Sequence, residues 1–180
     1  MKPARRTKTA ILIVGEGPTE KAFLQYLKEL YVTRDDDIVV KIECGSGGSP
    51  KCVVQKAKRL CGSRAYDKCF VLIDADRLSE NDCKINKHTK KIRILKATPN
   101  IEGLFLAILQ YPNFSQVTAY SVMCKKEFER NYLSGDKKMD KRAYPAIFSR
   151  EMFEARRKNI PELEEILKGM RGYFLWTKKN

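Results

Sequence analysis

The sequence has little of what zinc-binding and secreted proteins usually depend on. His88 is the single histidine among 180 residues, and no two cysteines form a C-x-x-C pair. Zinc sites usually present such close ligand pairs, so their absence argues against a zinc-binding module. Without a secretory signal, free buried thiols are expected rather than disulfides. The cysteines concerned are Cys44, Cys52, Cys61, Cys69, Cys83 and Cys124.

Long apolar runs are also missing. No stretch approaches the length of a membrane span, and the apolar run Ala10 to Val14 after the basic N-terminus is too short for a signal-peptide core. We therefore expect a cytoplasmic protein that has no membrane partner.

Acidic residues are the third shortage. The chain has 22 Asp and Glu against 36 Lys and Arg, which gives a formal charge of +14. Such an excess favours a polyanionic partner, and nucleic acid is the first candidate. The alternative is a generally basic protein whose charge serves solubility.

The acids that are present stand in an informative place, at the ends of two apolar runs. Ile11 to Val14 leads into Glu16, and Phe70 to Ile73 leads into Asp74 and Asp76. Short apolar runs bounded by turn signals are typical of buried parallel strands, whose carboxyl ends carry the ligand site in α/β proteins. Three carboxylates meeting there would repel one another unless a cation lay among them, and oxygen ligands suit Mg²⁺ or Mn²⁺.

Strand and helix signals alternate along the first part of the chain. Further strands are predicted at 38–42 and 92–95, and helical patterns follow Thr19, Ser49 and Asn100. This order predicts an α/β fold with a doubly wound, mainly parallel sheet over residues 9–112. From Tyr111 the strand signals fade, and helices are predicted at 121–133 and 150–170. Residues 113–180 are therefore expected to form a basic helical extension, packed on the sheet or projecting from it.

Three groups of residues allow two interpretations each. Asp74 and Asp76 either bind metal or serve a helix cap or turn, where Asp is common. Glu20 either supports the metal site or is a charge favourable to a helix N-terminus. The glycine-containing segment 45–50 lacks the Walker A spacing, and it either cradles a phosphate or forms a plain tight turn.

A strand ending in Glu, followed by a strand ending in Asp-x-Asp, resembles the Toprim domain of topoisomerases, bacterial primases and overcoming-lysogenization-defect (OLD) nucleases. A finer resemblance, to the RloB-like branch, rests on Val14-Gly15-Glu16-Gly17-x-Thr19-Glu20, on the glycine loop and on the segment 97–102. In that last segment Asn and Pro are transposed relative to the family motif, and its aromatic residue is absent. The resemblance covers residues 9–112, and 180 residues leave no room for a topoisomerase.

The resemblance implies Mg²⁺-dependent phosphodiester hydrolysis of DNA or RNA, within a phage-defence system that includes an ATPase partner. Asp74 and Asp76 would hold a metal ion, and Glu16 would hold a second ion or transfer protons. Glu102 is the candidate fourth catalytic acid, and Arg77 would steady a phosphate oxygen. The alternative is a Toprim-like nucleic-acid-binding subunit without turnover. The basic side chains expected to contact nucleic acid are Lys84, Lys87, Lys90, Lys91, Lys125, Lys126, Arg130, Arg156 and Arg157.

Overall fold

The structure, a computed structural model, describes residues 8–45, 48–63, 66–79 and 92–172. Within these residues, four strands form one sheet in which every neighbouring pair is parallel. The strands are β1 (Thr9–Gly15), β2 (Ile38–Cys44), β3 (Lys68–Asp74) and β4 (Ile92–Ala97), in the order β2-β1-β3-β4. The predicted parallel α/β sheet is confirmed, and β1 and β3 lie at its centre.

Helices follow three of these strands, as the sequence pattern predicts. They are α1 (Pro18–Tyr31), α2 (Pro50–Ser63) and α3 (Ile101–Ile108). Their starts follow local chemistry: Pro18 and Pro50 occupy first-turn positions that need no N–H donor, and the Asn100 side chain accepts a hydrogen bond from the Gly103 N–H. The helix starts therefore lie directly after the carboxyl edge of the sheet.

The C-terminal part is helical, as predicted, but two helices replace the single helix that was expected over residues 150–170. The helices are α4 (Phe114–Val117), α5 (Ser121–Asn131), α6 (Arg150–Arg156) and α7 (Pro161–Met170), with 3₁₀ turns at Gly135–Met139 and Lys141–Ala146. The prediction of one helix over 150–170 is wrong because Pro161 lacks an N–H and clashes with the preceding turn. It begins a new helix instead. No helix in the described part of the chain is both long and apolar enough to cross a membrane.

The sheet separates two apolar clusters. The smaller one lies under α2, and the larger one joins α1 and α3 to the C-terminal helices. Phe23 of α1 is central to the larger cluster: its ring centroid lies 4.8 Å from that of Phe105, 5.8 Å from Tyr144 and 6.0 Å from Phe153. The C-terminal part is thus packed on the sheet, while the domain boundary at residue 112 stays a prediction.

The cysteines depart from expectation at one pair. Cys61 and Cys69 are joined by a disulfide with their Cα atoms 6.7 Å apart, so the prediction of free thiols is wrong for these two. The chain reverses between the last turn of α2 and the start of β3, which brings the two side chains together in the smaller cluster. Cys44, Cys52 and Cys124 form no disulfide, as predicted, but only Cys124 is buried, and Cys52 is exposed. Cys83 lies outside the described residues.

Candidate active site

Glu16 and Asp74 meet at the carboxyl edge of the sheet. Because β1 pairs with β3 in parallel, the residue after β1 comes next to the last residue of β3. The Glu16 N–H donates to the Leu72 carbonyl over 3.0 Å, and the Asp74 N–H donates to Glu16 Oε2 over 3.2 Å. Two acids that are 58 residues apart in sequence are therefore direct neighbours.

The Asp74 carboxylate also reaches the start of α3. Its Oδ1 accepts a hydrogen bond from the Ile101 N–H over 2.9 Å. An anion is stabilised at a helix N-terminus, where the first N–H groups have no partner inside the helix. Asp74 does not cap the turn that follows its own strand with its side chain, as the sequence left open, but one of its oxygens contacts the start of α3, whose N-cap residue is Asn100.

Asp74 carries the strongest electrostatic perturbation at this edge. Burial raises the pKa of Asp74 to about 8, and the negative charges of Glu20, Glu16 and Glu102 add to this effect, while the Ile101 hydrogen bond opposes it. Without a cation, Asp74 is largely protonated at neutral pH. A positive charge placed at this point would reverse the balance and favour the carboxylate.

Glu16 is paired with a cation from its own chain. Its Oε1 accepts a hydrogen bond from Arg77 Nη1, and Arg77 Nη2 donates to the Gly48 carbonyl over 2.8 Å. Burial is the largest influence and raises the pKa of Glu16, although the Asp74 N–H and Arg77 both act in the opposite direction. Arg77, predicted to contact phosphate, thus contacts an acid of the site here, and its side chain is 47% exposed.

Glu102 is paired with a cation that the sequence analysis missed. Lys138 Nζ, in the 3₁₀ turn after α5, lies 2.8 Å from Glu102 Oε1 and 2.7 Å from Glu129 Oε1. Burial lowers the pKa of Lys138, but the hydrogen bonds to Glu102 and Glu129 outweigh it, and the net direction is upward. No spacing rule links residues 36 positions apart, and only the packing of the C-terminal part brings them together.

Glu20 contacts the start of α1, as one of its two interpretations predicts, while its support of a metal site stays a prediction. Its Oε2 accepts a hydrogen bond from the Gly17 N–H over 2.6 Å at the start of α1, and its side chain is buried. Burial raises the pKa of Glu20, and the charges of Glu16 and Glu102 push in the same direction. A Cβ atom on Gly15 would come within 2.8 Å of the Glu20 Cβ, so only glycine lets α1 lie this close to the end of β1.

Asp76 lies at the outer rim of the same edge. It belongs to the 3₁₀ turn Ala75–Arg77, where its side chain is exposed. Its N–H donates to the Pro99 carbonyl over 3.0 Å, which fixes the turn against the start of α3. The charge of Asp76 also contributes to raising the pKa of Glu16, whereas the acids that raise the pKa of Asp74 are Glu20, Glu16 and Glu102.

The fit of this edge to a divalent cation has two sides. All the donors are carboxylate oxygens, the ligands that Mg²⁺ and Mn²⁺ prefer, and burial together with neighbouring negative charges raises the pKa of Asp74. On the other side, among the residues described, no three Asp, Glu, His or Cys side chains are already grouped as ligands of one ion. The chemistry of the donors therefore suits Mg²⁺ or Mn²⁺, but one donor, Glu16, is already paired with Arg77.

The predicted nucleic-acid contacts are only partly located. Lys84, Lys87, Lys90 and Lys91 lie outside the described residues. Arg156 Nη2 donates to Gln110 Oε1 over 2.6 Å, and Arg157 is bonded to Glu154 and Glu164 within the C-terminal part. The role of these two arginines in nucleic-acid binding stays a prediction.

Comparison with known proteins agrees with this architecture at the level of a family. No curated protein and no solved structure matches the chain. A sequence model of the family described as RloB-like protein matches residues 11–168, which spans the sheet, the acidic edge and most of the C-terminal helices. The chain therefore belongs to the RloB-like protein family.

Proposed function

We propose that this protein is a metal-dependent nuclease that hydrolyses phosphodiester bonds in DNA or RNA. The observation that carries the proposal is the direct contact of Glu16 with Asp74 at the carboxyl edge of the sheet, where burial and the charges of Glu20, Glu16 and Glu102 raise the pKa of Asp74 to about 8. Membership of the RloB-like family and the resemblance to Toprim and OLD nucleases support the same chemistry.

In this proposal, Asp74, Asp76 and Glu16 would hold Mg²⁺ or Mn²⁺. Once bound, the cation would offset the negative charge that develops on the phosphate oxygens. The hydrogen bond from the Ile101 N–H to Asp74 Oδ1 would keep this carboxylate oriented. Glu102 is held in place by Lys138, and it would accept a proton from the attacking water. Arg77 would release Glu16 and bind a phosphate oxygen instead.

The test is a cleavage assay on labelled single- and double-stranded DNA and RNA, with Mg²⁺, with Mn²⁺ and with EDTA. The proposal expects cleavage with either metal, none with EDTA, and none from Asp74→Asn. Asp136→Asn is the matched control, because Asp136 is an exposed aspartate in the turn after α5. Cleavage that survives both EDTA and Asp74→Asn would overturn the proposal.

A second candidate is a nucleic-acid-binding subunit without turnover. Two observations favour it: Glu16 and Glu102 are already neutralised by Arg77 and Lys138, and the described residues contain no ready-made three-ligand group. Such a subunit would act in a cytoplasmic phage-defence complex together with an ATPase. Nucleic-acid binding with no cleavage in either metal, both alone and beside the products of neighbouring genes, would decide for this candidate.

A further inference from the structure

Exposed apolar side chains are concentrated in one short segment. Among the residues described, the large hydrophobic side chains that remain exposed are Val39, Tyr120, Val122, Met123 and Met139. Four of these five fall between residues 120 and 139, around α5. Tyr120 is 66% exposed and Val122 65%, although the Tyr120 backbone is held by the helix that it starts. An apolar surface gathered in this way marks a binding site more often than chance exposure does.

The same segment borders the acidic edge. The Ser121 carbonyl, next to Tyr120, accepts a hydrogen bond from Asn100 Nδ2 over 3.0 Å, and Asn100 caps the helix whose first N–H binds Asp74. One turn into α5, burial and then the charge of Glu102 raise the pKa of the Cys124 thiol. Met139 directly follows Lys138, the partner of Glu102.

The charge of α5 complements a nucleic-acid backbone. Its acids are engaged internally: Glu129 pairs with Lys138, and Glu127 accepts a hydrogen bond from the Tyr111 hydroxyl over 2.6 Å. Lys125 and Lys126, by contrast, are exposed. The helix therefore presents apolar and cationic side chains together, which is the combination that seats bases and phosphates of a single strand.

We propose that Tyr120, Val122, Met123, Lys125 and Lys126 form a platform on which unpaired bases of a single-stranded nucleic acid stack. We call this surface the α5 platform. The inference rests on the proposed function for the identity of the ligand, and it names the substrate class: a strand with unstacked bases rather than a duplex. In a duplex the base faces are already stacked on one another, so Tyr120 would find no free face to cover.

The experiment measures fluorescence anisotropy of labelled oligothymidylate, oligouridylate and a DNA duplex, with Ca²⁺ as the divalent cation. Tyr120→Ala should weaken binding of both single strands by about 5-fold or more, since a stacked base is worth that much in such proteins. Tyr120→Phe keeps the ring and should bind within about 2-fold of the unchanged protein. Duplex binding should be the same for all three proteins.

Two valines give a matched control. Val122→Ala should weaken single-strand binding measurably, whereas Val39→Ala should not, because Val39 is equally apolar but lies on the edge strand β2. Equal binding by Tyr120→Ala and Val39→Ala would overturn the inference. An equal loss for duplex and single strand would do so as well. No binding of any oligonucleotide by the unchanged protein would also overturn it and make the surface a docking face for a protein.

The binding assay separates this inference from the nuclease proposal. Tyr120-dependent binding without any cleavage would leave the α5 platform in place and remove the nuclease. If Tyr120→Ala changes neither the affinity for single strands nor their metal-dependent cleavage, the nuclease stays and the α5 platform is removed.

Discussion

The acids at the sheet edge fall into two groups that differ in how their charge is balanced. Glu16 and Glu102 each have a cation from the chain itself, Arg77 and Lys138. Asp74 accepts a hydrogen bond from the Ile101 N–H, and Glu20 accepts one from the Gly17 N–H. Neither acid forms an ion pair within the described residues. The fold thus balances Glu16 and Glu102, the flanks of this edge, with ion pairs. It leaves Asp74 and Glu20, which we call its centre, without an ion pair among the described residues, and protonation of Asp74 takes the place of a cation there.

The two cations differ from each other as well. The Arg77 side chain is nearly half exposed, and its second contact is a single backbone carbonyl. Lys138 is buried between two carboxylates. Exposed ion pairs contribute little and break easily, whereas removal of one partner of a buried pair leaves an uncompensated charge. Arg77 is therefore the exchangeable cation and Lys138 the fixed one.

The largest expected effect comes from the centre of the edge. Asp74→Asn should lower metal-dependent cleavage at least about 100-fold, because a carboxylate proposed to hold the metal is lost. The Asn side chain can still accept the Ile101 hydrogen bond, so the fold is retained. Initial rates are compared with those of Asp136→Asn. A variant that keeps most of its activity would show that the centre of the edge is not where the chemistry occurs.

The raised pKa of Asp74 should also make the stability of the protein depend on pH. In EDTA, the pKa of Asp74 is about 8 in the folded state and near its ordinary value in the unfolded state. At pH values between these two pKa values, the folded protein binds one proton more than the unfolded chain. The free energy of unfolding therefore falls as the pH rises, by up to about 1.4 kcal/mol per pH unit. Urea denaturation at a series of pH values should show this decline in the unchanged protein and a flatter profile in Asp74→Asn. Superimposable profiles would contradict the account.

The fixed cation should be costly to remove. Lys138→Met leaves Glu102 and Glu129 without their shared partner and should lower the free energy of unfolding by about 3 kcal/mol. Lys137→Met changes the neighbouring, exposed lysine and should have almost no effect. Addition of Glu102→Gln to Lys138→Met should restore part of the loss, because the unpaired charge is removed. Urea denaturation of all four proteins in EDTA measures these differences, and equal stability of the two lysine variants would be the contrary result.

Removal of Arg77, the exchangeable cation, should lower the free energy of unfolding least. Arg77→Met should lower the free energy of unfolding by about 1 kcal/mol or less, since the Arg77 side chain is nearly half exposed and the buried Glu16 keeps its hydrogen bond from the Asp74 N–H. The same urea experiment measures it. A loss as large as that of Lys138→Met would remove the distinction between the two cations.

The sequence predicted the centre of this arrangement better than its flanks. Apolar runs that end in acids mark the ends of β1 and β3, and parallel pairing then brings Glu16 to Asp74 without further information. Arg77 was assigned to phosphate because local spacing shows that it is near, but not which anion it meets. Lys138 and the Cys61–Cys69 disulfide were missed because each depends on chain reversals that no local pattern encodes.

Calorimetric titration of Mn²⁺ at neutral pH tests the central claim most directly. The account predicts that the unchanged protein and Asp136→Asn bind the ion, and that Asp74→Asn binds it at least about tenfold more weakly. Binding to the unchanged protein should also release a proton, visible as an enthalpy that depends on the buffer, because Asp74 is protonated beforehand. Equal affinity of Asp74→Asn and the unchanged protein, with no proton release in either, would contradict it.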